Sequence, residues 1–204
     1  MLTIHATSLA DLAAKLRGVD ISCPPRSECS AEQAEIWSGC RLLATLARDQ
    51  SVSYPLTLTH RDRPDFLLSL PSRAVGIEIT EAVASNWAWA DAKREENGYE
   101  KLVMLERFIP GEAPRSREEI DTIARGDSRG AIWPGNASEE DWADAMLHFS
   151  IEKKKKFEKP GFMVCAENWL IIYDSWNAPS LNEAKAAQYF FQRLVTLPEP
   201  LPFQ

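Results

Sequence analysis

The sequence lacks the features that mark membrane and secreted proteins. No apolar run approaches the roughly 18 residues that a membrane-spanning helix requires. The amino-terminal segment carries acidic residues and has no basic start followed by an apolar core, so it does not read as a signal peptide. These absences predict a cytoplasmic protein without a membrane partner.

Closely spaced cysteines and histidines are also missing. The 4 cysteines show no CxxC spacing, and the 3 histidines are far apart along the chain. Structural zinc sites use thiolates and imidazoles at short, paired spacings. A structural zinc site is therefore not expected, and the cysteines are predicted to be reduced thiols.

Basic residues are the minority in this chain. There are 23 Lys and Arg against 30 Asp and Glu, which gives a net charge of -7. Non-specific affinity for nucleic acid comes mainly from neutralised phosphates. The net charge therefore argues against a protein that is held on DNA by bulk electrostatics, although a local basic patch on an acidic body is compatible with it.

The size and composition are those of a globular domain. The chain has 204 residues, of which 45% are hydrophobic and 26% are charged. We expect residues 1–204 to form a single domain. Residues 84–137, which mix tryptophans with charged and Gly/Pro-rich pieces, are predicted to be an insertion with long loops.

Capping residues and apolar spacing predict the helices. Ser8 reads as an N-cap, and Ser30 with Gln33 reads as a capping box. Ser138, with Asp141 three residues later, reads as the start of a further helix. The predicted helices are 8–18, 31–49, 91–108, 116–125, 138–158 and 180–195.

Four strands are predicted from alternating or continuous apolar runs. They are 51–60, 64–70, 74–83 and 162–174, the last of which is either one strand or a pair of short strands. The first three are joined by turns short enough for antiparallel hairpins, whereas a helix intervenes before the fourth. This order predicts an α/β fold with a mixed sheet flanked by helices.

Two carboxylates stand out in the segment RPDFLLSLPSRAVGIEITEAV, residues 63–83. Asp65 heads one strand, and Glu78 lies in the middle of the next. Mg²⁺ prefers hard oxygen ligands and often takes only one or two carboxylates. It can activate a water and neutralise charge on a phosphate. The alternative is that Glu78 lies on the solvated face of a half-exposed strand.

The α-β-β-β-α-β order, the literal Pro64-Asp65 pair and Glu78 thirteen residues later resemble the PD-(D/E)xK, or restriction-endonuclease-like, nuclease superfamily. The resemblance implies a restriction-endonuclease-like sheet with an insertion after the third strand. It also implies a hydrolase that cleaves phosphodiester bonds in DNA. Asp65 and Glu78 would bind the Mg²⁺ cofactor, for which Mn²⁺ could substitute.

Thr80 occupies the place of the motif lysine. A hydroxyl cannot supply positive charge, so Thr80 is expected to hold a water or to hydrogen-bond a metal ligand. Superfamily members with Thr at this place often draw the lysine from the following helix. The corresponding predicted helix here carries HFSIEKKKKFEKP, residues 148–160.

Helical spacing selects among these lysines. Leu147, Ile151 and Lys154 recur at i, i+4 and i+7, which predicts that Lys154 points toward the sheet. Lys155, four residues after Ile151, is the second choice, and Lys153 and Lys156 lie further from this stripe. The alternative is that all four lysines form a solvated surface near the end of the helix.

The resemblance also implies a further acid from the opening helix. Glu32 and Glu35 are the candidates, and the spacing favours Glu35 slightly. A surface role for both residues is the alternative.

The sequence is compatible with two other functions. The first is a nuclease fold without catalysis that acts as a binding module. The second is an accessory or immunity-type protein whose acidic surface binds a basic partner. DNA is the expected substrate, with RNA, a homodimer and a protein partner left open.

Overall fold

The computed structural model describes residues 2–22, 28–100, 106–128, 130–176 and 178–203. Within these residues, five strands and six helices follow one another along the chain. They are β1 Thr3–Ala6, α1 Leu9–Arg17, α2 Ala31–Arg48, β2 Leu56–His60, β3 Phe66–Ser69, β4 Ala74–Ala82, α3 Ser85–Glu96, α4 Arg117–Arg125, α5 Ala137–Phe157, β5 Glu167–Asp174 and α6 Glu183–Val195. None of these helices has both the length and the apolar composition that a membrane crossing requires.

The strands form one sheet in the order β1-β2-β3-β4-β5. The first four strands make antiparallel pairs with their neighbours. Gly76, near the start of β4, lies against Asn168 at the start of β5. Ser175, just after β5, donates its backbone N–H to the carbonyl of Ala82 at the end of β4. β4 and β5 therefore run in the same direction, and the predicted mixed α/β sheet is confirmed.

The chain divides into two compact units. The first unit comprises residues 1–80, 153–173 and 202–204, and it contains most of the sheet with α1 and α2. The second comprises residues 81–152 and 174–201, and it includes the described part of the predicted insertion. Helix α5 contributes residues 137–152 to the second unit and its last turn to the first.

The core of the first unit follows from alternation along the strands. In β2, Leu56 and Leu58 are buried while Thr57 and Thr59 are half-buried. The apolar face of α2 covers this side of the sheet. The buried apolar residues of α1, α2 and the strands that form this core are Ile4, Ala6, Leu12, Cys40, Leu43, Leu56, Leu58, Phe66, Leu68, Val75, Ile77 and Ile79.

The second unit has its own core around α3, α4 and α5. Its buried apolar residues include Ala90, Phe108, Ile120, Ile123, Ala143 and Met146. The buried Asn86 side chain donates to Glu112 and to the carbonyl of Ala113, and it accepts from the backbone N–H of Arg115. This network ties the segment before α4 to the first turn of α3.

Several predicted boundaries were wrong. The helix predicted at 91–108 is α3, which begins at Ser85 and stops before Gly98, where φ is 64°. Residues 106–108 are not helical, and 101–105 lie outside the described residues. Ser138 lies inside α5, which begins at Ala137, rather than capping it, and its hydroxyl donates to the carbonyl of Pro179. Strand β1 was not predicted.

Candidate active site

Hairpin register brings the two predicted acids together. Phe66 pairs with Ile77 across β3 and β4, so Asp65, one residue before Phe66, lies beside Glu78. The Oδ2 atom of Asp65 accepts the backbone N–H of Ile79 at 2.6 Å. This bond anchors the Asp65 carboxylate to the strand that carries Glu78.

A single lysine contacts both carboxylates. The Nζ atom of Lys153 lies 2.6 Å from Oε2 of Glu78 and 3.3 Å from Oδ2 of Asp65. The side chains of Lys153 and Glu78 are only 9% and 6% exposed, and that of Asp65 is 17% exposed. One buried ammonium therefore faces two carboxylates in a place with little water.

This lysine is not the one that helical spacing selected. The structure brings Lys153 rather than Lys154 to the acidic pair, and the Nζ atom of Lys154 lies 3.9 Å from Glu158 on the same helix. Lys155, the second choice, is exposed. The lysine at the pair is Lys153, which had been assigned to a more distant face.

The burial pattern of α5 explains the error. Its buried face passes through Met146, Ser150 and Lys153 at i, i+4 and i+7. Leu147 and Ile151, the apolar residues used to set the face, are only half-buried. Ser150 fits the buried face because its hydroxyl donates to the carbonyl of Met146 at 2.8 Å, a signal that apolar spacing does not register.

Burial dominates the titration of Glu78. Loss of water raises the pKa of its carboxyl above the ordinary value, the bond from Lys153 opposes this, and the Asp65 charge adds to the rise. The net direction is upward. A cation brought to this pair would favour the ionised form and lower that pKa again.

A pH-dependent stability follows for the metal-free protein. Between the ordinary value of about 4.5 and the raised pKa, the unfolded chain loses the Glu78 proton while the folded protein keeps it. The contribution of Glu78 to the free energy of unfolding is therefore full below the ordinary value and declines as pH rises through the raised pKa. Glu78→Gln should lack this decline. Urea unfolding of both proteins from about pH 4.5 to about pH 7 measures the difference, and a pH-independent difference would contradict the assignment.

Glu35, on helix α2, lies beside the acidic pair of Asp65 and Glu78. Its Oε2 atom is 2.8 Å from Nε2 of His60, whose side chain is 11% exposed and whose ring packs on Phe66 at 4.9 Å. Glu32, the other candidate, is 60% exposed and reaches only 3.9 Å from His60. Glu35 is thus the acid of this helix nearest the site. No sequence pattern identifies His60 as its partner, because residues 25 positions apart share no common periodicity.

Thr80 follows Glu78 by two residues in β4 and is half-buried. Alternation places both residues on one side of the strand, as the motif requires. The cation at the pair comes from α5 instead. The role of Thr80 in holding a water stays a prediction.

The acidic pair, Lys153 and Glu35 line one polar cavity of about 340 Å³. Its wall is made by Glu35, Asp62, Arg63, Asp65, Glu78, Lys153, Lys156, Lys159 and Phe162. Four carboxylates and four cations thus meet in one cleft. Every lining residue belongs to the first unit.

The donor set suits a hard divalent cation. Among the described residues, no group of three or more His, Cys, Asp and Glu side chains is placed to hold a metal. Mg²⁺ does not need such a group, because it commonly uses one or two carboxylates and fills its other positions with water and phosphate. Asp65 and Glu78 meet that requirement, and none of the described residues that line the cavity is a cysteine or a histidine, which would favour a softer metal.

Charge is distributed unevenly between the two units. The first unit has thirteen basic and eleven acidic residues, a balance of +2. The second has ten basic and nineteen acidic residues, a balance of −9. The acidity of the whole chain therefore belongs to the second unit, and the unit with the cavity is slightly basic.

Comparisons of the chain with protein-family models, with curated proteins and with solved structures found no match. A functional interpretation of the cavity therefore depends on the chemistry of its own residues.

Proposed function

We propose that this protein is a Mg²⁺-dependent nuclease of the PD-(D/E)xK type that hydrolyses phosphodiester bonds in DNA. Its motif lysine is supplied by α5 as Lys153 rather than by the position that Thr80 occupies. The observation that carries the proposal is the contact of one buried ammonium with both Asp65 and Glu78. In the PD-(D/E)xK motif, the lysine that contacts the acidic pair comes from the strand of the second acid, at the position that Thr80 occupies here.

Each residue has a definite role in this proposal. Asp65 and Glu78 would hold Mg²⁺, which supplies charge neutralisation and an acidified water when bound. Lys153 orients the attacking water and stabilises negative charge that develops on the phosphate. Its burial strengthens this interaction, because few waters compete with it. The Ile79 N–H holds the Asp65 carboxylate in position.

The local charge balance supports a polyanionic substrate. An acidic chain would repel DNA if its charge were uniform, but the unit with the cavity carries +2. Arg63, Lys156 and Lys159 add cations to the cavity wall. Phosphate contacts of this kind give affinity without sequence information.

Two observations favour the non-catalytic alternatives. Lys153 compensates both carboxylates without any metal, as a purely structural ion pair would. The balance of −9 in the second unit suits a basic protein partner. Mg²⁺ or Mn²⁺ titration separates the functions, because a binding module or an accessory protein would show no metal binding that depends on Asp65 and Glu78.

The nuclease proposal predicts metal-dependent cleavage. The wild-type protein should cleave DNA in Mg²⁺ or Mn²⁺ and lose this activity in EDTA. Asp65→Asn and Glu78→Gln should each reduce cleavage to the EDTA level, because each removes a charged metal ligand of nearly the same shape. Gel assays on single-stranded, linear and circular DNA measure this.

Asp62→Asn is the matched control. Asp62 lines the same cavity but its side chain is 90% exposed and its carboxylate pairs only loosely with Arg63, at 3.7 Å. This variant should retain metal-dependent cleavage. Near-ultraviolet circular dichroism checks that each variant is folded. Undiminished cleavage by Glu78→Gln would reject the proposed function.

A further inference from the structure

Two lysines extend the cavity beyond the acidic pair. Lys156 and Lys159 follow Lys153 at intervals of three residues along the last turn of α5 and the turn after it. Lys153 is buried against the acids, whereas Lys156 and Lys159 are exposed. Among the residues that the structure describes, neither exposed lysine has a carboxylate within ion-pair distance. Their charge is therefore available to an anion.

Hydrogen bonds hold this part of the wall together. The backbone N–H of Met163 donates to the carbonyl of Arg63 at 3.4 Å, and the Arg61 guanidinium donates to the sulfur of Met163 at 3.3 Å. The turn before β3 and the segment after α5 are thereby joined. Arg63 thus reaches the same wall as the two lysines from the opposite segment.

An aromatic ring completes the wall. Phe162 is half-buried, lines the cavity and packs on Phe157 with ring centroids 4.6 Å apart. Phe157 packs in turn on Phe203 at 5.5 Å. A ring supported in this way beside exposed cations offers a stacking surface next to phosphate contacts. Proteins that bind single-stranded nucleic acid combine these two elements.

We infer that Lys156, Lys159 and Phe162 form a nucleotide subsite beside the acidic pair, and that it selects single-stranded DNA or an unpaired strand end. The lysines bind a phosphate next to the one that is cleaved, and Phe162 stacks on its base. In a duplex both faces of each internal base are covered by neighbours, so only an unpaired base can reach the ring. This inference rests on the proposed nuclease function and adds the substrate class.

The phosphate contact of Lys156 and Lys159 is tested by measuring DNA binding in EDTA, where no cleavage is expected. Fluorescence anisotropy with a labelled single-stranded oligonucleotide gives the affinity at several salt concentrations. The Lys156→Gln/Lys159→Gln variant should lower the magnitude of the slope of log affinity against log salt by about 0.7, because the two lysines share one phosphate and each phosphate contact on a single strand contributes about 0.7. The Lys154→Gln/Lys155→Gln variant removes the same number of charges from the last turn of α5 and should leave the slope nearly unchanged.

The role of the Phe162 ring is tested by comparing the binding of single-stranded and duplex DNA. Phe162→Leu should weaken single-strand binding roughly tenfold, within the range reported for loss of one stacked base, and should leave duplex binding unchanged. Phe191→Leu is the control, because Phe191 is 62% exposed on α6 and outside the cavity. Equal effects of Phe162→Leu on both forms of DNA would overturn the strand preference.

The outcomes separate this inference from the nuclease proposal. If the wild-type protein cleaves DNA in Mg²⁺ while the lysine and phenylalanine variants bind like wild type, the subsite is wrong and the nuclease stands. If these variants lose single-strand binding but the wild-type protein never cleaves, the subsite stands and the nuclease is wrong. Absence of single-strand binding by the wild-type protein at low salt overturns the subsite directly.

Discussion

Replacing Lys153 with methionine is expected to abolish Mg²⁺-dependent cleavage and to lower the free energy of unfolding by about 3 kcal/mol at neutral pH. Methionine keeps most of the buried volume but leaves Glu78, whose side chain is 6% exposed, without its cation. The loss of stability should shrink as pH falls toward the ordinary pKa of a glutamate, because protonated Glu78 needs no partner. Urea unfolding and the cleavage assay measure the two effects.

Lys154→Met is the matched control for this change. It removes one charge from the next position of α5, where the side chain is 20% exposed, and it should leave stability within about 0.5 kcal/mol and cleavage intact. Adding Glu78→Gln to Lys153→Met should recover part of the stability and none of the cleavage. Similar effects of Lys153→Met and Lys154→Met on both measurements would contradict the placement of Lys153 at the pair.

Phe66→Ala is expected to cost about 3–5 kcal/mol of stability. Phe66 is fully buried, directly follows Asp65 and packs on the His60 ring. Its ring occupies the space left by Gly39 on α2, where an added Cβ would lie 2.8 Å from the ring. The truncation therefore leaves a cavity under the residues that position Glu35 and Asp65. Thermal and urea unfolding measure the loss.

Gly39→Ala tests the same contact from the other side. It should destabilise the wild-type protein, by about 1–3 kcal/mol, and should cost less in a Phe66→Leu background, because the smaller side chain makes room. Gly18→Ala is the control, since an added Cβ there would meet its nearest neighbour at 3.4 Å. Additive effects of the Gly39 and Phe66 changes would show that the two residues are not in contact.

Local patterns were sufficient for much of the fold. The alternation in β2 and the short turns on either side of β3 predicted three antiparallel strands, because side-chain direction in a strand depends only on position. The capping box of Ser30 and Gln33 marked the start of α2. The helix predicted at 91–108 failed because residues 84–96 have little apolar periodicity. Four residues with a single alternation did not distinguish β1 from a loop.

The sequence by itself determined the α/β class, the hairpin and the proximity of Asp65 and Glu78, since a short antiparallel turn sets the register of both strands. Only the tertiary structure decided that Lys153, and not Lys154, meets this pair, and that His60 holds Glu35. One helical residue turns a side chain by about 100°. The face that is buried depends on what packs against it. A polar Ser150 can occupy that face because it donates to the Met146 carbonyl of its own helix, and a charged Lys153 can do so because Asp65 and Glu78 are its partners.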